Sequence, residues 1–168
     1  MSVIAWDGKT LAVDRLAVDF DLGSITNKYK LLADGRLLAW VGGHSSGRFL
    51  ANWYEKGADP AEWPSFQNGG EEGARLIIVH PDGRCQEYAN SPAPMVNDVF
   101  DKFRAWGSGR DYAMGAMAMG ATATEAVTVA SRFCITCGGG VDSFEWRKEV
   151  MSSEPGVGIK SKAKEVID

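Results

Sequence analysis

The chain lacks any apolar stretch approaching the ~18 residues that a membrane span requires, so the sequence predicts no transmembrane helix. No signal peptide opens it, and the two absences together lead to an expected cytoplasmic location. Basic runs are missing before the tail. Lys and Arg total 18 against 22 Asp and Glu, a net charge of -4, which argues against a general binder of phosphate backbones. Cysteine is scarce: Cys85, Cys134 and Cys137 are too few, and odd in number, for a disulfide framework. Histidine is scarcer still, with His44 and His80 alone. A zinc site built on the C-x-x-C of Cys134 and Cys137 therefore wants a fourth ligand and a second close pair, and neither metal nor cofactor is expected. A thioredoxin-like pair would form a Cys134–Cys137 disulfide that responds to reductant. The pair ends an apolar helical pattern, however, rather than opening a helix where a thiolate is stabilised. Buried structural thiols are the favoured reading. Internal repeats and linkers between two cores are also absent. One domain over 1–151 is expected, with 152–168, which carries Gly156, Gly158 and alternating lysines but no core pattern, as a C-terminal tail.

What is present is an ordinary globular composition, 45% hydrophobic and 24% charged, in 168 residues, enough for one sizeable core. The N-terminus is unusual because it begins as a strand: Val3, Ile4, Ala5 and Trp6 suit a pleated, half-buried surface. The Asp7-Gly8 turn then leads to a short strand over 11–13, since Asp-Gly between apolar runs is a hairpin signal. Val18, Phe20 and Leu22 alternate with Asp19 and Asp21, and extended chain continues over 25–32. A second turn at Asp34-Gly35 precedes the apolar run 37–41. These four or five strands are expected to form one sheet. His44-Ser45-Ser46 offers N-cap candidates for an amphipathic helix over 46–57, carried by Phe49, Leu50, Trp53 and Tyr54. Residues 58–73 read as loop, 75–80 and 84–89 as a hairpin, 91–94 as a connector and 99–106 as extended. Two Ala- and Met-rich helices follow over 112–119 and 125–133, the second supported by Glu125. The stripe of Met114, Met117 and Met119 reads as core packing, and 141–146 as a last strand. Strands, helix, strands, two helices, strand is an order that two stacked sheets with helices outside would bury.

Met1 precedes a small residue, the situation in which an initiator methionine is trimmed. Trimming would leave Ser2 with a hydroxyl and a free α-amine, whose reference pKa near ~8 suits a general base. At this point the chain resembles the proteasome β-subunit and HslV-like family of N-terminal-nucleophile hydrolases, and more narrowly its short phage and bacterial members. The resemblance runs from Ser2 to about Phe144. It is carried in order by the opening strand, turn and Asp14-Arg15, by Lys28-Tyr29-Lys30-Leu31-Leu32 with Asp34-Gly35, by Val41-Gly42-Gly43, by Gly107-Ser108-Gly109 and by Gly138-Gly139.

The resemblance implies a four-layer αββα sandwich of two antiparallel sheets and a peptidase or amidohydrolase. Residue by residue it places the nucleophile at Ser2, the catalytic lysine at Lys28 with its acid at Asp14, the oxyanion donor at the Gly42 N–H, and the partner of the terminal amine at Ser108. Lys30 is the alternative lysine if the register is off by two, since both would project to one strand face. Trp40 and His44, flanking the double glycine, are the expected substrate-binding residues, and the bulk of Trp40 is expected to restrict the pocket to small side chains. The implied partners are a peptide or protein substrate, further copies in a homo-oligomeric ring and an ATPase unfoldase; nucleic acid and membrane are not expected. The chain departs from the family twice. Ser2 stands where Thr is usual and lacks the methyl that holds the rotamer. Cys134 and Cys137 stand where Asp and Ser or Thr are usual, and thiols are poor substitutes in a hydrogen-bond network. The departures motivate a second expectation, a catalytically degenerate ring-forming scaffold or interaction protein.

Overall fold

The computed structural model of the chain describes residues 2–19, 22–64, 73–97 and 103–146. In chain order the first elements are β1 (Val3–Trp6), β2 (Thr10–Asp14), β3 (Leu16–Asp19), β4 (Leu22–Ile25), β5 (Tyr29–Leu31), β6 (Leu37–Gly42) and α1 (His44–Glu55). After a 3-10 turn at Pro60–Glu62 come β7 (Ala74–Val79), β8 (Cys85–Tyr88), β9 (Met95–Asn97), β10 (Arg104–Gly107), α2 (Arg110–Ala118), α3 (Ala123–Phe133) and β11 (Val141–Glu145).

The Asp7-Gly8 turn forms as expected. Gly8 takes φ 89, a region that costs an L side chain strain, and Asp7 Oδ1 accepts the N–H groups of Lys9 at 3.0 Å and Thr10 at 2.7 Å. β1 and β2 therefore pair antiparallel, with Ile4 opposite Val13 and Trp6 opposite Leu11. They are the middle of a four-stranded sheet ordered β10-β1-β2-β11, so the N-terminal strand is flanked on both sides. A five-stranded sheet runs β5-β6-β7-β8-β9. Among the described residues every pairing is antiparallel.

The expectation of a single sheet for the N-terminal strands is corrected. β1 and β2 belong to one sheet, β5 and β6 to another, and β3 with β4 makes a separate two-stranded ladder. The chain leaves the first sheet at Arg15, whose N–H, like that of Leu16, donates to the Gly138 carbonyl at 2.9 Å. The ladder that follows carries Leu22 at 76% and Ile25 at 64% exposure, so the alternation there does not mark one buried face. The helix begins at His44 rather than 46, and its N-cap is Gly43 without a side-chain bond, so the expected Ser caps do not serve. β9 and the 3-10 turn were not expected. The second long helix carries the expected device: Thr122 and Glu125 exchange bonds in a capping box. Of the methionine stripe, Met117 is buried, whereas Met119 is 90% exposed. The expected tail over 152–168 lies outside the described residues, as do parts of the expected 58–73 loop and of the extended 99–106 segment.

Three apolar clusters join these elements. Ile4, Leu11, Val13 and Trp106 of the first sheet meet Leu37, Ala39, Val41, Ile77 and Val79 of the second. The opposite face of the first sheet, with Val3, Ala5 and Ala12, packs on Ala113, Met117, Ala126, Val127 and Ala130 of α2 and α3. The opposite face of the second sheet, with Leu38, Trp40, Leu76 and Ile78, packs on Leu50, Ala51, Trp53 and Tyr54 of α1. Alternation in β1 thus serves two cores, which is why Val3, Ile4 and Ala5 are all fully buried.

Candidate active site

Three polar groups are buried where the three sheet-bound segments meet. Ser2 is 1%, Asp14 0% and Lys28 2% exposed. β1 delivers Ser2 and β2, returning alongside it, delivers Asp14. The chain enters β5 just past Lys28, whose carbonyl accepts the Trp40 N–H at 3.0 Å. Lys28 Nζ donates to Ser2 Oγ at 2.7 Å and to Asp14 Oδ1 at 2.8 Å. Asp14 is further held by the N–H of Val3 at 2.9 Å and of Gly138 at 3.1 Å, so its oxygens are satisfied from three segments. Burial pushes the Asp14 carboxyl up and the Lys28 ammonium down; the mutual attraction and the bonds to Asp14 work against both shifts. Lys30 is not the partner. Its ammonium reaches Glu55 on the surface.

The main chain of Ser2 is fastened as closely as its side chain. Its N donates to Ser108 Oγ at 3.2 Å, and Ser108 Oγ lies 3.3 Å from the Ser2 carbonyl. Gly107 runs so near that a Cβ there would fall 2.1 Å from the Ser2 carbonyl oxygen. Gly42 has φ +98, and a Cβ on it would meet the Gly73 carbonyl at 2.4 Å, so β6 ends in a conformation only glycine accepts here. Gly42 and Ser108 line one cleft of about 870 Å³, together with Arg75, Arg104 and Trp106. Met1 lies outside the described residues.

Ser108 Oγ contacts Thr136 Oγ1 at 2.8 Å and Cys137 Sγ at 3.7 Å, and Cys134 Sγ lies 3.2 Å from Thr136 Oγ1. Thr136 was not singled out from the sequence. It supplies a hydroxyl to the network that two thiols alone would leave poorly bonded, and a hydroxyl inside the C-x-x-C was the available signal. Cys137 is buried and Cys134 half-buried, so only the former matches the expectation for a structural thiol.

Trp40 and His44 lie together beside this site. The Trp40 indole N–H points to His44 Nδ1 at 3.4 Å, and the ring sits against Gly47 of α1, where a Cβ would fall 2.1 Å from its Cδ1. Both line a pocket of about 310 Å³ with Thr26, Lys30 and Arg48. Burial, then the positive charges of Arg48 and Lys28, hold the His44 imidazole below its ordinary pKa. A second unforeseen group is Glu87, fully buried on β8. It accepts from Trp106 Nε1 at 2.9 Å and from Arg75 Nη1 at 2.7 Å, with Arg104 Nη2 at 3.5 Å. It ties the second sheet to β10 behind the cleft wall. Among the described residues no group of His, Cys, Asp and Glu is placed to hold a metal ion, and no helix is long and apolar enough to cross a membrane.

No protein-family model matches the sequence, and no curated protein matches it. Solved structures do. The Thiobacillus denitrificans BPH structure aligns at 20% identity over 88% of this chain and 99% of that one, with a TM-score of 0.63. The same protein in complex with epoxomicin aligns at 21% identity over 87% and 98%, with a TM-score of 0.62. The eukaryotic HslV of Trypanosoma brucei aligns at 16% identity over 84% and 96%, also at 0.62. Likeness at these identities shows a shared fold, mixed α/β with antiparallel sheets.

Proposed function

We propose that the chain is a proteasome-like peptidase or amidohydrolase whose nucleophile is Ser2, freed by removal of Met1. One observation carries this reading: a serine hydroxyl on the second residue is bonded at 2.7 Å to an ammonium buried with its own carboxylate. The resemblance to HslV in fold, and the epoxomicin complex of the T. denitrificans protein, point the same way. The three apolar clusters support a four-layer αββα sandwich.

In the proposed reaction the α-amine of Ser2, held by Ser108, takes the Oγ proton. Lys28 stabilises the developing alkoxide by its charge, and Asp14 keeps that charge in place. Oγ attacks the substrate carbonyl, and the Gly42 N–H receives the oxyanion, a donor worth ~3 kcal/mol in such sites. Collapse breaks the C–N bond, the amine leaves with the proton, and water releases the acyl group from Ser2. Trp40 and His44 would wall the pocket for a small side chain. By resemblance, the enzyme would work as a ring of copies in the cytoplasm, on peptides or on chains delivered by an ATPase unfoldase. The scaffold reading has the two thiols in its favour, but Thr136 keeps a hydroxyl beside Ser108.

Intact mass after exposure to a β-lactone that acylates N-terminal nucleophiles tests the proposal. The expected result is a chain without Met1 carrying one adduct on Ser2. A retained Met1, or a trimmed chain that never reacts, refutes it and leaves the scaffold.

A further inference from the structure

The C-x-x-C is not absorbed by the hydrolase reading, yet it touches the same network. The Cys137 N–H donates to the Cys134 carbonyl at 3.0 Å, closing a tight turn just after α3. Such a turn brings the two Cα atoms within ~7 Å, and a disulfide spans ~4.4–6.8 Å. Thr136 and Ser108 link the two thiols: Cys134 Sγ meets Thr136 Oγ1, which meets Ser108 Oγ, which meets Cys137 Sγ. Their exposures differ: Cys134 is half-buried and reachable, whereas Cys137 is 4% exposed and faces inward toward Ser108.

We propose that Cys134 and Cys137 form a two-electron redox site that a hydroperoxide oxidises to an intramolecular disulfide, and that its state is felt at Ser2 through Ser108. The Cys134 thiolate attacks the peroxide: an S–O bond forms, the O–O bond breaks, and the departing oxygen leaves as water after protonation. Cys137, losing its proton, attacks Cys134 Sγ; the S–S bond forms and the S–O bond breaks to release a second water. Two thiols are oxidised and one hydrogen peroxide becomes two waters.

Cys134 suits the attacking role. Burial alone would raise its pKa, but bonds from the Thr136 hydroxyl and N–H, Cys137 and Ser108 outweigh it and bring the thiol below its ordinary value. Cys137, pushed up to about 12 chiefly by burial, stays a thiol until it resolves the sulfenic acid. Cys85 sits in the cluster between the sheets, also pushed up to about 12 by burial, and takes no part. Closing an S–S bond of ~2.05 Å rotates Cys137 Sγ away from Ser108 Oγ and moves Thr136, which lies inside the loop. Both neighbours of the hydroxyl that accepts the Ser2 N–H are therefore disturbed.

The full chain is treated with stoichiometric hydrogen peroxide, denatured in N-ethylmaleimide and weighed. The expected product is lighter by about 2 Da before alkylation, takes a single maleimide, on Cys85, and yields a linked 134–137 peptide. Three maleimides, or Cys134 oxidised to sulfinic acid with no disulfide, overturn the site. The coupling has a readout that needs no hydrolysis. Ser108→Ala removes a contact made by the reduced form, so the ratio of disulfide to dithiol at fixed glutathione ratio rises about 2- to 5-fold; an unchanged ratio overturns the coupling. A second readout rests on Ser2 being the nucleophile. Oxidation should slow its acylation by about tenfold or more, dithiothreitol should restore it, and Cys134→Ser should be indifferent to peroxide. If acylation is present but unmoved by oxidation, the coupling fails. If the reduced chain never acylates, the hydrolase reading fails, and mass and glutathione equilibrium still decide the redox site.

Discussion

Replacing Lys28 by methionine separates what the buried pair does for folding from what it does for Ser2. The ammonium is 2% exposed and bridges Asp14 at 2.8 Å and Ser2 Oγ at 2.7 Å. Without it, Asp14 keeps the N–H groups of Val3 and Gly138 but remains a fully buried charge with no cation. Breaking such a pair from one side costs about 3–5 kcal/mol. In a domain of this size each kcal/mol moves the melting point about 2–4 °C, so Lys28→Met should melt roughly 6–20 °C below the parent. Adding Asp14→Asn removes the orphaned charge and leaves an oxygen for one of the two donors, so the double variant should regain about half of the loss. Urea unfolding of the parent, both single variants and the double variant at pH 7 gives the coupling energy directly. Acylation of Ser2 is followed on the same samples and should be absent wherever Lys28 is absent, however stable the double variant becomes. A double variant no more stable than Lys28→Met refutes the account of the burial cost. Acylation of Lys28→Met at the parent rate refutes the role given to the lysine.

Gly47→Ala should destabilise by about 1–3 kcal/mol despite the better helix propensity of alanine, because its Cβ would lie 2.1 Å from Trp40 Cδ1; a thermal melt at or above the parent's would show that the indole simply moves. Glu87→Gln should cost about 1.5–3 kcal/mol, since it weakens bonds to Arg75 and Trp106 at a fully buried site; urea midpoints check it. His44 is held below its ordinary value of 6.5, chiefly by burial. Its contribution is therefore present above 6.5 and lost as the pH falls through the folded value, where the unfolded chain takes the proton more readily. Between pH 7 and pH 5 the parent should lose more stability than His44→Gln, and parallel profiles would contradict this.

The turns were legible because their cause is local. Asp7-Gly8 and Asp34-Gly35 close hairpins through glycine φ values of 89 and 84, and the side chain before each glycine bonds to backbone N–H groups ahead. The opening strand was legible from Val3 to Trp6 alone. The partition into sheets was not, because alternation over 18–22 specifies extended chain and says nothing of its partner. What parts β3 from β2 is the Gly138 carbonyl, more than a hundred residues away, accepting from Arg15 and Leu16. Between the two lysines, Lys28, the one matched by resemblance, meets Ser2 and Asp14, and the alternative Lys30 pairs with Glu55 instead. Ser2, Asp14, Lys28 and Ser108 were gathered by resemblance and do converge. Thr136 lies between two cysteines whose C-x-x-C spacing is the stronger local pattern, and Glu87 sits in an inward position of β8 where an apolar residue is the rule.

The pair Lys28–Asp14 bears on the choice between hydrolase and scaffold in a way that the thiols do not. Replacing a buried ion pair with apolar residues of similar volume is commonly neutral, or stabilising by about 1–4 kcal/mol. A protein whose only task was to keep this fold and assemble would gain nothing physical from an ammonium at 2.7 Å from a serine hydroxyl. The surroundings repeat the point. Gly107 is compelled by the approach of the Ser2 carbonyl, and Ser108 meets both the N and the carbonyl of Ser2. These contacts hold the backbone of one residue near a terminus, where chains are ordinarily loose. Residue 134 is a cysteine, and a hydroxyl meets Ser108 through Thr136. The proposed hydrolase therefore accounts for such a site better than a scaffold, which has no use for so costly a buried pair.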